Sequence, residues 1–304
     1  MTLAASNVKE RKPKSKEHVE SEDVRWRKIL YQRQPFPDNY SGGDEFLKEL
    51  KTNVNLVQYS FNDAFCGASV LISQINVVVL FVVAFEFIAD GFLTSRALFR
   101  LLIVGCVIAY AAFLRIGDGF AFDHVYTLAT LVGFGYGLTP VIRTLTDTVS
   151  TDTIYAMTFI LFMLSLVFHD FGMNAPIVNR HFSVNLSLAA SVCLISRVDN
   201  NETAFLLLAL SILFFSYWPL LRNLLNTKLS RGFSPCSLVV IAPVVLGSLT
   251  RISLPLVIVH VIVHVAVLII CPQLLVYMQK FKSTIHGPWD EATPLTRSHR
   301  TFSR

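Results

Sequence analysis

The sequence has little charge over most of its length. Only 15% of its 304 residues are charged, whereas an average soluble domain has roughly 25%. Most of these charges lie near the two ends, so that acids and bases are sparse in the stretch from residue 64 to residue 276. This pattern excludes a large soluble core and is typical of a chain that crosses a membrane several times.

The signatures of several kinds of soluble chemistry are also missing. The five cysteines are scattered, form no CxxC pair and lie in or beside apolar runs, so neither a disulfide framework nor a metal site is expected. The sequence contains no P-loop, no GxSxG and no GxGxxG after a strand. The N-terminus lacks the apolar region of a cleavable signal peptide, so the first span is expected to direct membrane insertion. We expect no cofactor and no nucleic-acid partner.

Apolar runs occupy the middle of the sequence. A helical span needs about 20 residues to cross roughly 30 Å of hydrocarbon. We assign eight candidate spans, at residues 64–89, 97–114, 125–145, 153–171, 182–196, 204–221, 237–250 and 252–275. The fifth and seventh are short, so six or seven spans remain open. The sequence therefore predicts an all-α, polytopic membrane protein with a transmembrane helical domain at 64–276.

Tails of different character flank this domain. Residues 1–23 are polar and are expected to be disordered. Residues 24–63 form a docking and amphipathic segment, in which the apolar spacing from residue 44 onward predicts a helix. Residues 277–304 form the C-terminal tail. With eight spans, both tails lie on the side that holds 21 of the 26 Lys and Arg residues, so the positive-inside rule predicts that both are cytosolic.

Each tail contains a peptide suited to docking a partner. The stretch YQRQPFPDNY combines two prolines, which favour extended backbone, with aromatic side chains that can serve as anchors. The stretch IHGPWD contains a Gly-Pro helix stop and a tryptophan, which also fits an aromatic at the membrane interface. The candidate docking residues are Pro35, Phe36, Pro37, Asp38, Tyr40, His286, Gly287, Pro288, Trp289 and Asp290.

Polar groups between and within the apolar runs are candidate sites, because such groups are costly in a membrane. The loop TLTDTVSTDTIYAM is rich in hydroxyls and could bind a sugar, a headgroup or a cation, or could simply cap the next helix. The stretch HDFGMNAPIVNRHFSVN could form a polar pocket or a capped loop with an interhelical amide bond. The candidate residues are Asp147, Ser150, Thr151, Asp152, Asp170, Asn174 and Asn185. His260 and His264 share a helix face, for which either interhelical hydrogen bonding or contact with solvent at the membrane face is expected.

Several of these stretches resemble a known family. YQRQPFPDNY with DEFLKEL, GYGLTPVIRTLTDTVSTDTIYAM, ASVCLISR and IHGPWDEA follow one another from about residue 24 to residue 292. Together they resemble the class C subunit of the phosphatidylinositol N-acetylglucosaminyltransferase complex. Gln32 departs from the family pattern, in which an acid is expected, and the first 23 residues and the last dozen match nothing in it.

This resemblance implies a function and a location. The complex transfers N-acetylglucosamine from UDP-GlcNAc to phosphatidylinositol on the cytosolic face of the endoplasmic reticulum membrane, the first step of GPI-anchor biosynthesis. A different subunit, class A, is implied to be the catalyst. The resemblance makes this chain a non-catalytic, multi-pass subunit that scaffolds the catalytic one and helps to present the lipid. The implied partners are the class A, H, P, Q and Y subunits, a dolichol-phosphate-mannose synthase regulatory subunit and phosphatidylinositol.

Two alternatives belong to other functional classes. A membrane enzyme would use the polar loops for catalysis itself, and transfer without the class A subunit would favour it. A lipid transporter or scramblase would need a polar path through the spans, which a flip assay on the lone chain would detect. The scattered polar residues of the apolar runs do not indicate such a path.

Overall fold

The computed structural model describes residues 33–37, 40, 50–53, 58–116, 122–144, 146, 148–169, 180–228, 232–283 and 285–286. The chain divides into two units. One comprises Met1–Val57 with Ser283–Arg304, and the other comprises Gln58–Lys282. The second unit holds the apolar runs.

The second unit is built of helices that follow the apolar runs closely. In its described part there are eight continuous helical segments, and α6 and α8 each contain one internal π-helical turn, at Leu213–Tyr217 and Ala266–Ile270. The segments are α1 (Phe61–Ala89), α2 (Ser95–Ile116), α3 (Phe122–Thr144), α4 (Thr151–Val167), α5 (Arg180–Ile195), α6 (Asn201–Lys228), α7 (Phe233–Leu249) and α8 (Leu254–Phe281).

Four of the described helices are long and apolar enough to cross a membrane by length and composition. These are α1, α2, α6 and α8. The helices α4, α5 and α7 are apolar but shorter. The prediction of an all-helical membrane protein is therefore confirmed for this unit, and the eight helices lie where the eight runs were placed.

Local sequence signals set the helix boundaries. Ser60 and Asp63 form a capping box at the start of α1, in which the Ser60 hydroxyl accepts from the Asp63 amide at 3.2 Å. After α1, Gly91 adopts a φ of +71°, a conformation that glycine takes without steric cost. Asn200 caps α6 by accepting a hydrogen bond from the amide of Glu202 at 3.0 Å.

Contacts between helix ends define two ends of the bundle. The amide of Tyr59 donates to Gln279 at 2.7 Å, and the Gln279 side chain donates back to the Tyr59 carbonyl at 2.9 Å. The chain therefore enters and leaves the bundle at the same end, which we call the tail end. At the opposite, far end, the hydroxyls of Ser95 and Thr203 lie 2.7 Å apart, at the starts of α2 and α6.

An aromatic cluster lies in the core between these ends. The rings of Phe81, Phe162 and Phe215 come from α1, α4 and α6 and are at most 2% exposed. Their centroids are 5.4–6.2 Å apart, in edge-on or tilted arrangements, the geometry that aromatic quadrupoles favour. The cluster holds together three helices that are far apart in sequence.

The first unit contains a short strand pair, and one of its strands lies where the sequence predicts a helix. Lys51–Thr52 (β1) pairs antiparallel with Ile285–His286 (β2), and Lys51 lies opposite His286. Asn53 has a φ of +59°, which asparagine tolerates better than most residues. The helix predicted from residue 44 through residue 57 is therefore wrong at 51–53, because backbone pairing with the other tail replaces the helical bonds there. The rest of that predicted helix, apart from residue 50, lies outside the described residues.

Candidate functional site

A buried arginine near the tail end is the centre of the polar network that we take as the candidate site. Arg222 lies on α6 and is 0% exposed. Its guanidinium donates to the carbonyl of Val70 on α1 at 3.2 Å, and its other terminal nitrogen lies 3.1 Å from Nε2 of His169, which follows α4. The side chain thus joins three helical regions within an apolar bundle.

The hydrogen-bond chemistry of the network fixes the tautomer of the histidine. A guanidinium can only donate, so Nε2 of His169 accepts and its proton lies on Nδ1. Nδ1 is 3.5 Å from the Ser183 hydroxyl, which donates in turn to the carbonyl of Ser165 at 2.7 Å. A single direction of donation therefore runs from Arg222 through His169 and Ser183 to the backbone of α4. The terminal nitrogens of Arg222, both ring nitrogens of His169 and the Ser183 hydroxyl thus have partners, as buried groups require, whereas Nε of Arg222 has no hydrogen-bond partner among the described residues.

The interior of α1 has polar side chains of its own. Ser69, Ser73, Gln74 and Asn76 are at most 2% exposed. The indole nitrogen of Trp218 donates to the Ser73 hydroxyl at 3.2 Å. A helix in hydrocarbon gains little from apolar contacts alone, because lipid is as apolar as leucine, so such bonds help to select the neighbours of α1.

The interhelical hydrogen bonding expected for the histidines of α8 is found for one of the two, His260. Nε2 of His260 lies 3.0 Å from Oδ1 of Asn76, so that α8 is hydrogen-bonded to α1. Nδ1 of His264 donates to the carbonyl of His260 within the same helix at 2.9 Å. In the part of the chain that the structure describes, no group of three or more metal-ligating side chains occurs.

The hydroxyl-rich loop places its predicted residues at the start of α4. Ser150 is the N-cap and accepts from the amide of Thr153 at 3.4 Å. Thr151 and Asp152 are exposed in the first turn, so the capping oxygen belongs to the serine and not to the carboxylate. Asp147 lies outside the described residues.

We expect Ser150→Ala to destabilise the protein by about 1 kcal/mol, the usual cost of losing an N-cap oxygen. Asp152→Ala is the matched comparison and should cost less, about 0.5 kcal/mol, because only a favourable charge near the helix dipole is lost. Both are measured as shifts in the unfolding midpoint of the purified protein in detergent. An equal or larger loss for Asp152→Ala would contradict this assignment of the cap.

The second polar stretch is only partly described. Asn185 is exposed on α5 and is separate from the Arg222 network. Asp170 and Asn174 lie outside the described residues. The sequence did suggest a polar pocket in this region, and His169 and Ser183 of that stretch do come together.

Sequence reasoning missed the residue at the centre of the network. The sixth predicted span ends at residue 221, which places Arg222 in a loop. The structure continues α6 to Lys228. The signal for this was the leucine pattern of WPLLRNLLN, which keeps its helical spacing past the arginine.

The described residues of the N-terminal docking peptide place Tyr40 beside Phe36 and Pro37. The amide of Tyr40 donates to the carbonyl of Pro37 at 2.9 Å. The rings of Phe36 and Tyr40 stack with centroids 4.4 Å apart. The two prolines predicted a stiff backbone but not this fold-back. Asp38 lies outside the described residues.

Only His286 of the C-terminal peptide is described, in β2. Gly287, Pro288, Trp289 and Asp290 lie outside the described residues.

Residues 26–290 match the GPI2 family, which is described as phosphatidylinositol N-acetylglucosaminyltransferase. The chain belongs to this family. It is 36% identical over 285 residues to the class C subunit of phosphatidylinositol N-acetylglucosaminyltransferase from Rattus norvegicus, covering 91% of this chain and 95% of that protein. It is 35% identical over 280 residues to the class C subunit from Homo sapiens, covering 90% and 94%.

A more distant relative extends the similarity to fungi. The phosphatidylinositol N-acetylglucosaminyltransferase GPI2 subunit of Schizosaccharomyces pombe is 29% identical over 306 residues, covering 93% of this chain and 91% of that protein. No solved structure matches the chain. The GPI2 match includes both predicted docking peptides and the whole of the Arg222 network.

Proposed function

We propose that this protein is a non-catalytic membrane subunit of the complex that transfers N-acetylglucosamine from UDP-GlcNAc to phosphatidylinositol. Its mammalian relatives are named as the class C subunit of a phosphatidylinositol N-acetylglucosaminyltransferase. In this role the chain scaffolds the catalytic subunit and helps to present the lipid.

The observation that carries this proposal is that the buried side chain of Arg222 connects helices. Its guanidinium is buried, and its contacts include a backbone carbonyl of α1 and the imidazole of His169. A group that binds or activates a substrate needs access to it, whereas this one connects helices. The network therefore supports an architectural role.

The proposed location is the endoplasmic reticulum membrane, with eight spans and both tails in the cytosol. An even number of spans places both tails on one side, and the Tyr59–Gln279 pair brings the two ends of the bundle domain together. The excess of Lys and Arg on that side favours the cytosol. The tail end of the bundle would then lie at the face where the lipid acceptor is glycosylated.

The proposed partners contact the tails. Stacked, half-buried rings at Phe36 and Tyr40 form a small preformed aromatic surface, and such a surface loses little entropy when it binds. We propose that it docks a cytosolic part of the complex, whose members by family resemblance are the class A, H, P, Q and Y subunits and the dolichol-phosphate-mannose synthase regulatory subunit.

The test is the double variant Phe36→Ala and Tyr40→Ala. We expect it to insert normally but to retain less of at least one other subunit on purification, because truncated aromatic anchors cost about 2 kcal/mol or more. The control pair is Phe99→Ala and Phe134→Ala, which removes two exposed aromatics from helix surfaces. Full retention of every subunit by the first pair would refute the docking role.

Lipid presentation is tested separately. A photoreactive phosphatidylinositol should crosslink to this chain in the purified complex, at residues of the tail end. Crosslinks confined to other subunits would contradict a part for this chain in presenting the lipid. Transfer by this chain alone, without the class A subunit, would contradict the non-catalytic assignment.

A further inference from the structure

A second group of arginines lies at the far end of the bundle, away from the Arg222 network. Arg143 ends α3, and Arg197 follows α5. Both are half-buried and line the same open groove, whose volume is about 330 Å³. Grooves of roughly 300–1,000 Å³ are the size that small ligands and headgroups occupy.

The acceptors that hold these arginines are all neutral. Nε of Arg143 donates to the carbonyl of Val198 at 2.9 Å, and one of its terminal nitrogens donates to the side chain of Asn201. One terminal nitrogen of Arg197 donates to the carbonyls of Thr146, at 3.0 Å, and Val149. Neutral acceptors orient the guanidinium groups without cancelling their charge.

Among the described lining residues the two positive charges of Arg143 and Arg197 therefore exceed the single negative charge of Asp199. Neither arginine is ion-paired with a described carboxylate, and Asp199 on the groove wall is exposed. Nε of Arg197 is buried and has no hydrogen-bond partner among the described residues. Because this nitrogen is enclosed by protein, an anion in the groove would interact with the charge of the guanidinium and not through a bond to Nε.

The backbone adds to the positive electrostatic potential of the groove. Asn201 lines the groove and begins α6, which runs without a break to Lys228. The amide groups at a helix N-terminus present partial positive charge, which favours phosphate and carboxylate groups. The first-turn carboxylate of Glu202 is exposed and opposes this effect only in part.

From these observations we propose that the far-end groove binds an anionic phosphoryl group. Arg143 and Arg197 supply charged donors held in fixed directions, the pairing that arginine makes best with phosphate oxygens. The groove lies at the end of an apolar bundle, where lipid headgroups meet water. The phosphoryl group therefore comes either from an anionic phospholipid of that leaflet or from free phosphate.

The experiment uses the full chain purified in detergent, with two ligand arms. In one arm phosphatidylserine or phosphatidylcholine is titrated and bound lipid is counted by native mass spectrometry. In the other arm inorganic phosphate is titrated and the unfolding midpoint is followed. Binding only in the phosphatidylserine arm identifies a lipid site, and groove-dependent stabilisation by phosphate identifies a free-anion site.

Two sets of variants assign the binding to the groove. Arg143→Gln with Arg197→Gln removes both cations, and we expect the affinity to fall at least about tenfold. Arg96→Gln with Arg100→Gln is the control, because it removes two exposed charges from the start of α2 at the same end. That control should stay within about twofold of the parent.

A further variant is needed because the two arginines also stabilise loops through their hydrogen bonds, so that replacing them could cause misfolding. Thr144 is exposed on the groove wall, and its hydroxyl bonds only to carbonyls of its own helix. Thr144→Glu places a carboxylate in the groove while leaving the hydrogen bonds of both arginines intact, and should abolish anion binding, whereas Thr144→Gln should retain it. The proposal is overturned by any of three results: an unchanged affinity in Thr144→Glu, an equal loss of affinity in the Arg96/Arg100 control, or no binding in either arm.

Discussion

Replacing His169 by leucine is expected to destabilise the protein more than replacing the arginine that it contacts. His169→Leu removes an acceptor from a guanidinium that is 0% exposed and retains its charge. Leaving a buried donor without its acceptor costs roughly 1–3 kcal/mol, and more when the donor is charged. Arg222→Met removes the charge together with its donors, so that the lost bonds are partly offset by relief from burying a cation.

The two changes should therefore be strongly non-additive. We expect the double variant, His169→Leu with Arg222→Met, to be more stable than His169→Leu alone. A double-mutant cycle on the unfolding midpoint in detergent measures this coupling, which reaches about 0.5–3 kcal/mol for residues in one network. The controls are His181→Leu and Lys228→Met, which alter an exposed histidine and an exposed base near the same end. A double variant that is less stable than either single one would show that the network does not act as described.

The same variants separate assembly from turnover. If the Arg222 network is architectural, the amount of assembled complex should fall with stability, while transfer of N-acetylglucosamine per assembled complex stays near the parent value. A normal amount of complex with a large loss of turnover would instead place Arg222 and His169 at the reacting lipid.

The second large effect is expected in the aromatic core. Phe81→Ala removes a ring that is 0% exposed and contacts the rings of Phe162 and Phe215. Such a change costs about 3–5 kcal/mol in soluble proteins. In a bilayer the transfer part is smaller, because the surrounding lipid is also apolar, so we expect about 3 kcal/mol from lost packing.

Phe159→Ala is the matched control for this variant. Phe159 lies on α4 and is 65% exposed, so its ring adds no core packing. Its removal should change the unfolding midpoint little, by about 0.5 kcal/mol or less. Equal losses for the two variants would mean that the three rings do not form the packing centre of the bundle.

The positions of the helices could be predicted well because the signal is local. Each apolar run became one helix, and boundaries such as the Ser60 capping box follow from a few adjacent residues. α6 ends at Lys228, seven residues after the predicted end at residue 221, because the helix continues past the charged side chain of Arg222. Arg222 is buried among helices and does not lie in a loop, and its residue type alone does not indicate this.

The site could be predicted only in part because its contacts are long-range. His169 belongs to the polar stretch HDFGMNAPIVNRHFSVN, but its contact with Arg222 spans 53 positions in sequence. The pairing of β1 with β2 joins the two tails, and the apolar spacing of the N-terminal segment, read alone, favoured a helix instead. Patterns within one segment give no information about a partner elsewhere in the chain.

The contacts of α1 have a consequence for the order in which the protein is made. Asn76 is bonded to His260, 184 positions later, and Tyr59 is bonded to Gln279, 220 positions later. The first helix and Tyr59, which precedes it, therefore lack these polar partners until the last helix has been synthesised. During most of translation the carboxamide of Asn76 must be sheltered by water, by another helix or by the insertion machinery. Chains that stop before residue 254 never acquire the partner of Asn76. We therefore expect the carboxamide in their first span to mark them as incomplete.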